Sequence, residues 1–372
     1  METRSPLYLE IRKLLQYGDL CFRDFMELAL YHPEYGYYAR SANPISPEGD
    51  YVTAGAISPV FAFALSKLVR EFLGRVGGAP SLIVDIGCGN GALIQEIQAN
   101  LEGSLPTNVS FWGVDRALGR VAGVEGTIRY INDVGTLPAG QPALVIANEL
   151  YDAFPFARLV QRSEELHELW VRETADETLE WQEHEAESAY GDYLAGHGVA
   201  LEEGQFADIS LDWGAAYREL AARFPTSLFV TFDYGHPADR LFRSRARRYG
   251  TAAAYRGHQV SRDLLSDPGE QDLTAHINFT DLIRAGEVEH QTTLYFGRQA
   301  RFLLALGITE HELFRPADEI ASGGLAEAIE QLDARQAAQR LVLPDGIGDE
   351  IRVLVQARNL PATGWSFQRA QI

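Results

Sequence analysis

Ser81-Leu-Ile-Val-Asp-Ile-Gly-Cys-Gly-Asn-Gly-Ala-Leu-Ile94 is the stretch on which the reading of this chain turns. It runs from an apolar strand through an acid into a glycine-rich turn and then the start of a helix. Gly87, Gly89 and Gly91 carry no Cβ, so the chain can turn sharply and a ligand can approach the backbone. The first N–H groups of the following helix lack partners within it and form a polar cradle. Strand-turn-helix units of this kind hold nucleotide-like cofactors at the carboxyl edge of a parallel sheet.

Outward from this turn, apolar runs recur. Leu82–Ile86, Val109–Val114, Ile128–Ile131, Ala143–Ala147 and Ser227–Phe232 read as strands, and helical stretches such as Ala92–Leu101 lie between them. Strands alternating with helices predict an α/β fold with a mostly parallel sheet and helices on both faces. Residues 1–80 read as an N-terminal helical and loop region, with a Pro-, Gly- and Ser-rich loop at 41–58. Residues 81–155 and 206–372 read as the core with its C-terminal extension. Between them, 156–205 breaks the rhythm with short antiparallel strands at Arg158–Val160, Leu166–Val171 and Thr178–Gln182. This segment is expected to be an inserted substrate lobe or lid.

The chain has 372 residues and a formal net charge of −20. That charge argues against wrapping nucleic acid, which needs clustered cations. It is compatible with a cationic substrate. Cys21 and Cys88 make no disulfide framework, so a reducing cytoplasmic compartment is expected. No apolar run reaches membrane-spanning length, and the first residues carry no secretory signal pattern. A homodimer is a possibility that the sequence leaves open.

Gly87 to Ala92 also satisfies the loose dinucleotide pattern G-x-G-x-x-A, so the surrounding acids must decide the cofactor. Asp85 precedes the turn. Asp115 ends the second strand, where a carboxylate can accept from ribose hydroxyls. Asp133 follows the third, where an acid can accept from an adenine amino group. Asn148 and Glu149 end the fourth. This succession resembles a class I S-adenosylmethionine methyltransferase, because an acid at Asp85 favours a cationic cofactor over a pyrophosphate. Asp85, Gly87, Gly89, Gly91, Asp115, Asp133 and Asn148 are the expected cofactor residues. The competing readings are a nicotinamide- or flavin-dependent oxidoreductase and a protein that binds the cofactor without catalysis.

Longer motifs lie further from the turn: Phe25-Met-Glu-Leu-Ala-Leu-Tyr-His-Pro-Glu-Tyr-Gly-Tyr-Tyr38, Gly49-Asp-Tyr-Val-Thr53, Asn148-Glu-Leu-Tyr-Asp-Ala-Phe-Pro155, Asp233-Tyr-Gly235, Ala254-Tyr-Arg-Gly-His258 and Asp272-Leu-Thr-Ala-His-Ile-Asn-Phe279. In this order they resemble the MidA family, relatives of the mitochondrial complex I assembly-factor methyltransferase. The resemblance implies a Rossmann-like class I methyltransferase core, S-adenosylmethionine as cofactor, and N-methylation of arginine in a protein. The chain departs from the family pattern at Ala56, Cys88 and Asn90, and at Ala252-Ala-Ala254.

An arginine guanidinium stays protonated near neutral pH, so it is a poor nucleophile. A carboxylate that pairs with two of its N–H groups would fix its plane and localise charge on the far nitrogens. Glu149 is the first candidate for that carboxylate and Asp152 the second. His258 is a candidate proton acceptor. Tyr151 and Tyr234 are candidates for an aromatic wall around a cation, and His276 for a substrate contact. No histidine or cysteine spacing suggests a metal site. A small-molecule O- or N-methyltransferase is the rival enzyme reading.

Overall fold

The computed structural model describes residues 4–40, 59–117, 127–257, 259–315, 325–344 and 346–371. The expected loop at 41–58 and the candidate His258 lie outside the described residues.

Strand Ser81–Ile86 is buried at every position, as expected for a central strand covered on both faces. It sits in an eight-stranded sheet. Along its main path the order is Thr292–Arg298, Ile351–Arg358, Ser227–His236, Ala143–Asn148, Ser81–Ile86, Val109–Val114 and Ile128–Ile131. The five strands from Ser227–His236 to Ile128–Ile131 pair in parallel, while Ile351–Arg358 runs antiparallel to both of its neighbours. The short strand Ile277–Asn278 adds to the end of Ser227–His236. Alternate side chains feed two cores. Ile83, Phe111, Ile146, Val230 and Phe232 pack against helices Pro59–Arg75, Ala92–Ala99 and Gln299–Ala305. Val84, Trp112, Val145 and Phe229 pack against Trp213–Ala222 and Phe279–Val288. The α/β fold with helices on both faces is therefore present.

The strand expected to end at Phe232 continues to His236. Ile351–Arg358 pairs with it as far as Tyr234, and Ile277–Asn278 pairs with Gly235 and His236. Asp233-Tyr-Gly235 is thus inside the sheet and does not follow it. A Cβ on Gly235 would come within 2.3 Å of the Ile277 carbonyl oxygen, so the added strand can pair only because this residue is glycine.

The antiparallel segment expected at 156–205 forms Ala157–Arg162, Glu165–Glu173 and Leu179–Glu185. Its sheet reaches beyond that segment and includes Leu20–Cys21 and Phe206–Ile209. Helices Pro6–Leu15 and Phe22–Tyr31 lie against it, and Leu7, Ile11, Phe22, Phe25 and Met26 share one core with Phe156, Val171 and Leu273. Tyr8 and Arg12 both reach Glu173, at 2.8 and 2.9 Å. Burial thus fastens the N-terminal helices to this second sheet.

Phe232 is fully buried between Phe61 and Phe302, with ring centroids 5.1 and 5.6 Å away. Phe232→Ala is expected to lower the free energy of unfolding by about 3–5 kcal/mol, measured by urea denaturation. A loss below about 1 kcal/mol would show that this core is not packed as described.

Candidate active site

The glycine turn leaves the sheet after Ile86. Gly87 and Cys88 donate their N–H groups to the Val114 carbonyl, at 2.8 and 3.1 Å, which ties the turn to the neighbouring strand. Gly87 has φ 72° and Gly91 has φ 77°, in the left-handed region that favours glycine. Added Cβ atoms would meet Leu150 Cδ1 at 2.8 Å and the Tyr130 hydroxyl at 2.7 Å, respectively. The turn is held from the next strand by Asp115. Its Oδ2 accepts from Gly89 N at 2.9 Å and its Oδ1 from Ala117 N at 2.8 Å.

A cleft of about 540 Å³ opens on this turn. Gly87, Gly89, Asp115, Glu149 and Tyr151 line it. Asp85, Gly91 and Asn148 are not among the lining residues. Asp133 also stands outside the lining: its Oδ1 accepts from Gly135 N at 2.7 Å and caps the turn Val134–Thr136, while Asn132 and Val134 face the cleft. Tyr234 and His276 are not among the lining residues and stack on each other, with centroids 6.3 Å apart.

Asp85 is 2% exposed, and its Oδ2 has no hydrogen-bond partner among the described residues. Burial, reinforced by the negative charge of Asp115, pushes its carboxyl up to about 8. An orphaned buried acceptor under a backbone cradle suits a ligand that brings positive charge. Asn148 Oδ1 is likewise buried without a partner, at the end of the adjacent strand. Together with Asp115, these groups fit a cofactor that carries hydroxyl, ammonium and sulfonium groups.

Glu149 has φ 49°, a left-handed conformation that costs a non-glycine residue about 1 kcal/mol or more. Its own N–H donates to the Phe232 carbonyl at 2.8 Å, so the neighbouring strand holds the strained peptide. Its Oε1 lies 3.3 Å from Asn148 Nδ2. Tyr151 donates its N–H to Asp233 Oδ2 at 2.9 Å. Asp152 is buried and does not line the cleft. Desolvation pushes its carboxyl up to about 7. Asp233 has no exposed surface; burial, and then the charge of Asp152, raise its carboxyl well above the ordinary range. The two buried acids therefore favour holding a proton between them near neutral pH.

Other cleft residues were not singled out from the sequence. The helix Phe22–Tyr31 contributes Arg23, Asp24, Glu27 and Tyr31, and Tyr38 follows. Arg116 lies over the Tyr31 ring at 4.4 Å and binds Glu27 at 2.6 Å, while the Tyr31 hydroxyl donates to the Ala153 carbonyl at 2.9 Å. The aromatic run from Tyr31 to Tyr38 was the available signal. Among the described residues, no group of three or more histidine, cysteine or acidic side chains could hold a metal ion. No helix there is long and apolar enough to cross a membrane.

Comparison with known proteins places these features. A family model describing S-adenosyl-L-methionine-dependent methyltransferases, Methyltransf_28, matches residues 67–296. The mitochondrial protein arginine methyltransferase NDUFAF7 of Danio rerio is 23% identical over 312 residues, covering 73% of this chain and 69% of that protein. The crystal structure of a Burkholderia thailandensis protein bound to S-adenosyl-homocysteine superposes with a TM-score of 0.83 at 25% identity, covering 97% of this chain and 94% of the other. A native crystal structure from the same organism, 24% identical, gives a TM-score of 0.80 and supports the fold.

A pH dependence follows from Asp85. Its folded carboxyl is raised, so in the ligand-free protein it holds a proton up to about pH 8. Binding a cation there expels that proton, and affinity for S-adenosylmethionine is expected to rise between about pH 6 and 8. Calorimetry in buffers of different ionisation enthalpy should detect the proton release, and Asp85→Asn should abolish both effects. An unchanged pH profile in Asp85→Asn would contradict the assignment. The family match spans more than half of the residues, and the fold and the cradle agree with it: the chain belongs to the MidA-like family of S-adenosyl-L-methionine-dependent methyltransferases.

Proposed function

We propose that this methyltransferase acts on a guanidinium nitrogen of arginine in a protein. The observation that carries the reading is Glu149, a strained residue just past a strand end that lines the cleft beside the glycine turn. Strain of this kind persists where surrounding structure over-determines a functional geometry. Among the described residues the cleft lining also carries Asp24, Glu27, Asp115, Asp212 and Glu219, against Arg23 and Arg116. Both arginines already have carboxylate neighbours, Asp24 at 3.1 Å and Glu27 at 2.6 Å. Such a surface attracts a cation and repels an anion. The NDUFAF7 relatives, which are named as protein arginine methyltransferases, point to the same substrate class.

The cofactor supplies a methyl group already activated on a sulfonium. Gly87, Gly89, Asp115 and Asn148 would hold it, with Asp85 meeting its positive charge. What the chain must add is alignment and charge placement, and alignment alone is worth about 7–11 kcal/mol in favourable systems. Glu149 would pair with two guanidinium N–H groups and fix the plane of the substrate. Tyr151 and Phe154 border the same space with aromatic surface. The attacking nitrogen must lose a proton as its bond to carbon forms. Glu149, in the lining, would accept it, and Asp152 and Asp233 are two buried carboxyls, the charge of the first bearing on the second.

The test is incubation of the protein with isotopically labelled S-adenosylmethionine and cell extract, followed by mass mapping of modified residues. Label on arginine nitrogen is the expected result, and label confined to small metabolites or to oxygen atoms would reject the reading. Glu149→Gln is expected to keep cofactor affinity within about threefold and to lower kcat by at least about a hundredfold. Equal turnover by wild type and variant would remove Glu149 from the mechanism.

A further inference from the structure

A second group of charged side chains gathers next to Tyr234, at the carboxyl end of strand Ser227–His236. His236 ends this strand, and its ring lies 6.1 Å from that of His276. Arg247 donates from Nη2 to His236 Nε2, which holds that imidazole neutral. Arg352 enters from the neighbouring strand, opposite Asp233. The positive charges of Arg247, Arg352 and Arg240 all bear on His236, and those of Arg247, Arg262 and Arg352 on His276.

These cations are poorly matched by the chain. Among the described residues, neither Arg247 nor Arg352 has a carboxylate within ion-pair distance; they donate to the carbonyls of Arg240 and Asp349, at 3.2 and 2.6 Å. The nearby acids are engaged elsewhere or stand off. Asp349 binds Arg298 at 2.9 Å. Asp208 binds Arg158 at 2.7 Å and accepts from the N–H groups of Thr251 and Ala252. Asp233 accepts from Tyr151 and Tyr234. Glu350 acts on Tyr234 and Tyr255 and makes no ion pair with Arg352. His276 Nδ1 is buried and has no partner among the described residues. In a chain with net charge −20, two partly buried guanidiniums with no carboxylate in ion-pair range stand beside a buried imidazole nitrogen that has no partner among the described residues. Burial and mutual repulsion lower the proton affinity of both His236, to about 3, and Arg352. An anion would relieve both costs.

We propose that Arg247, Arg352 and His276 form an oxyanion subsite that takes the carboxylate of an acidic side chain in the polypeptide carrying the methylated arginine. The proposal rests on the protein-arginine reading for its ligand, but not for its charge chemistry. Tyr234 links the two places: its ring stacks on His276 and its hydroxyl feels the charge of Glu149. The substrate then offers a cation to Glu149 and an anion about one aromatic ring away. Charged groups paired in this way select the partner and fix its register.

Two measurements separate the subsite from the substrate. The first uses protein saturated with S-adenosylhomocysteine, with inorganic phosphate as the probe, followed by calorimetry and thermal melting. Saturable phosphate binding is expected in the wild type. At least about a tenfold loss is expected in Arg247→Gln and in Arg352→Gln, with partial recovery in Arg247→Lys. In phosphate-free buffer the Gln variants should melt no lower than wild type, because a repulsive charge has gone. Equal phosphate affinity in wild type and variants, or a lower melting point that phosphate does not affect, would overturn the subsite. The second measurement uses the peptide found by mass mapping and a version with its acidic side chains changed to amides. KM is expected to rise about tenfold or more with kcat within twofold, and Arg247→Gln should erase that difference. A KM indifferent to the acids of the peptide would overturn the carboxylate assignment. Normal phosphate binding in the absence of any methylated arginine would sustain the subsite and reject the arginine reading instead.

Discussion

The cofactor cradle depends on one carboxylate. Asp115 stands at the end of its strand and divides its two oxygens between Gly89 N and Ala117 N. One bond holds the glycine turn in shape; the other holds the chain that leaves the second strand. Both strands must end at the same height for this bridge to form, and the parallel register provides that, with Ile86 opposite Val114. The glycines make the turn possible, and Asp115 makes it a single conformation. Charge-assisted bonds of this sort are about twice as strong as neutral ones.

Around this bridge the site is a set of acids held in different electrical states. Asp85 is buried, and desolvation with the charge of Asp115 raises its carboxyl, a cost that positive charge beside it would offset. Asp152 and Asp233 are buried together, where two full charges would repel in a poorly screened interior. Glu149 and Asp115 line the cleft. On the far side of Tyr234 the sign reverses, with Arg247 and Arg352 short of carboxylates. The carboxyl edge of the sheet is therefore negative where a cation must sit and positive beyond it.

Much of this was legible in the sequence because the physics was local. A central strand such as Ser81–Ile86 is buried at every position and largely apolar, and a polar residue just past a strand end can face the site. That logic located Asp115 and Glu149 at the lining from strand ends alone. It was less informative for Asp133, because an acid two residues past a strand can turn back to cap the next backbone turn, and this one does so with Oδ1. Tyr234 read as a loop residue after a short strand; pairing with Ile351 keeps it within the sheet, a fact set by a partner more than a hundred residues away. The contribution of Glu27 and Tyr31 was hidden for the same reason. They meet Arg116 across 89 and 85 residues of chain, and only the shared core of the N-terminal helices and the lobe brings them there.

We propose that acidic side chains at successive strand ends receive the positively charged, adenosine-bearing cofactor over the Gly87–Gly91 turn. The most direct measurement is a crystal structure of the protein with S-adenosylmethionine. The account predicts density over the turn, with the ribose at Asp115 and the charged amino-acid end near Asp85 and Asn148. A cofactor bound elsewhere, or a cleft that remains filled with water at saturating concentration, would contradict it.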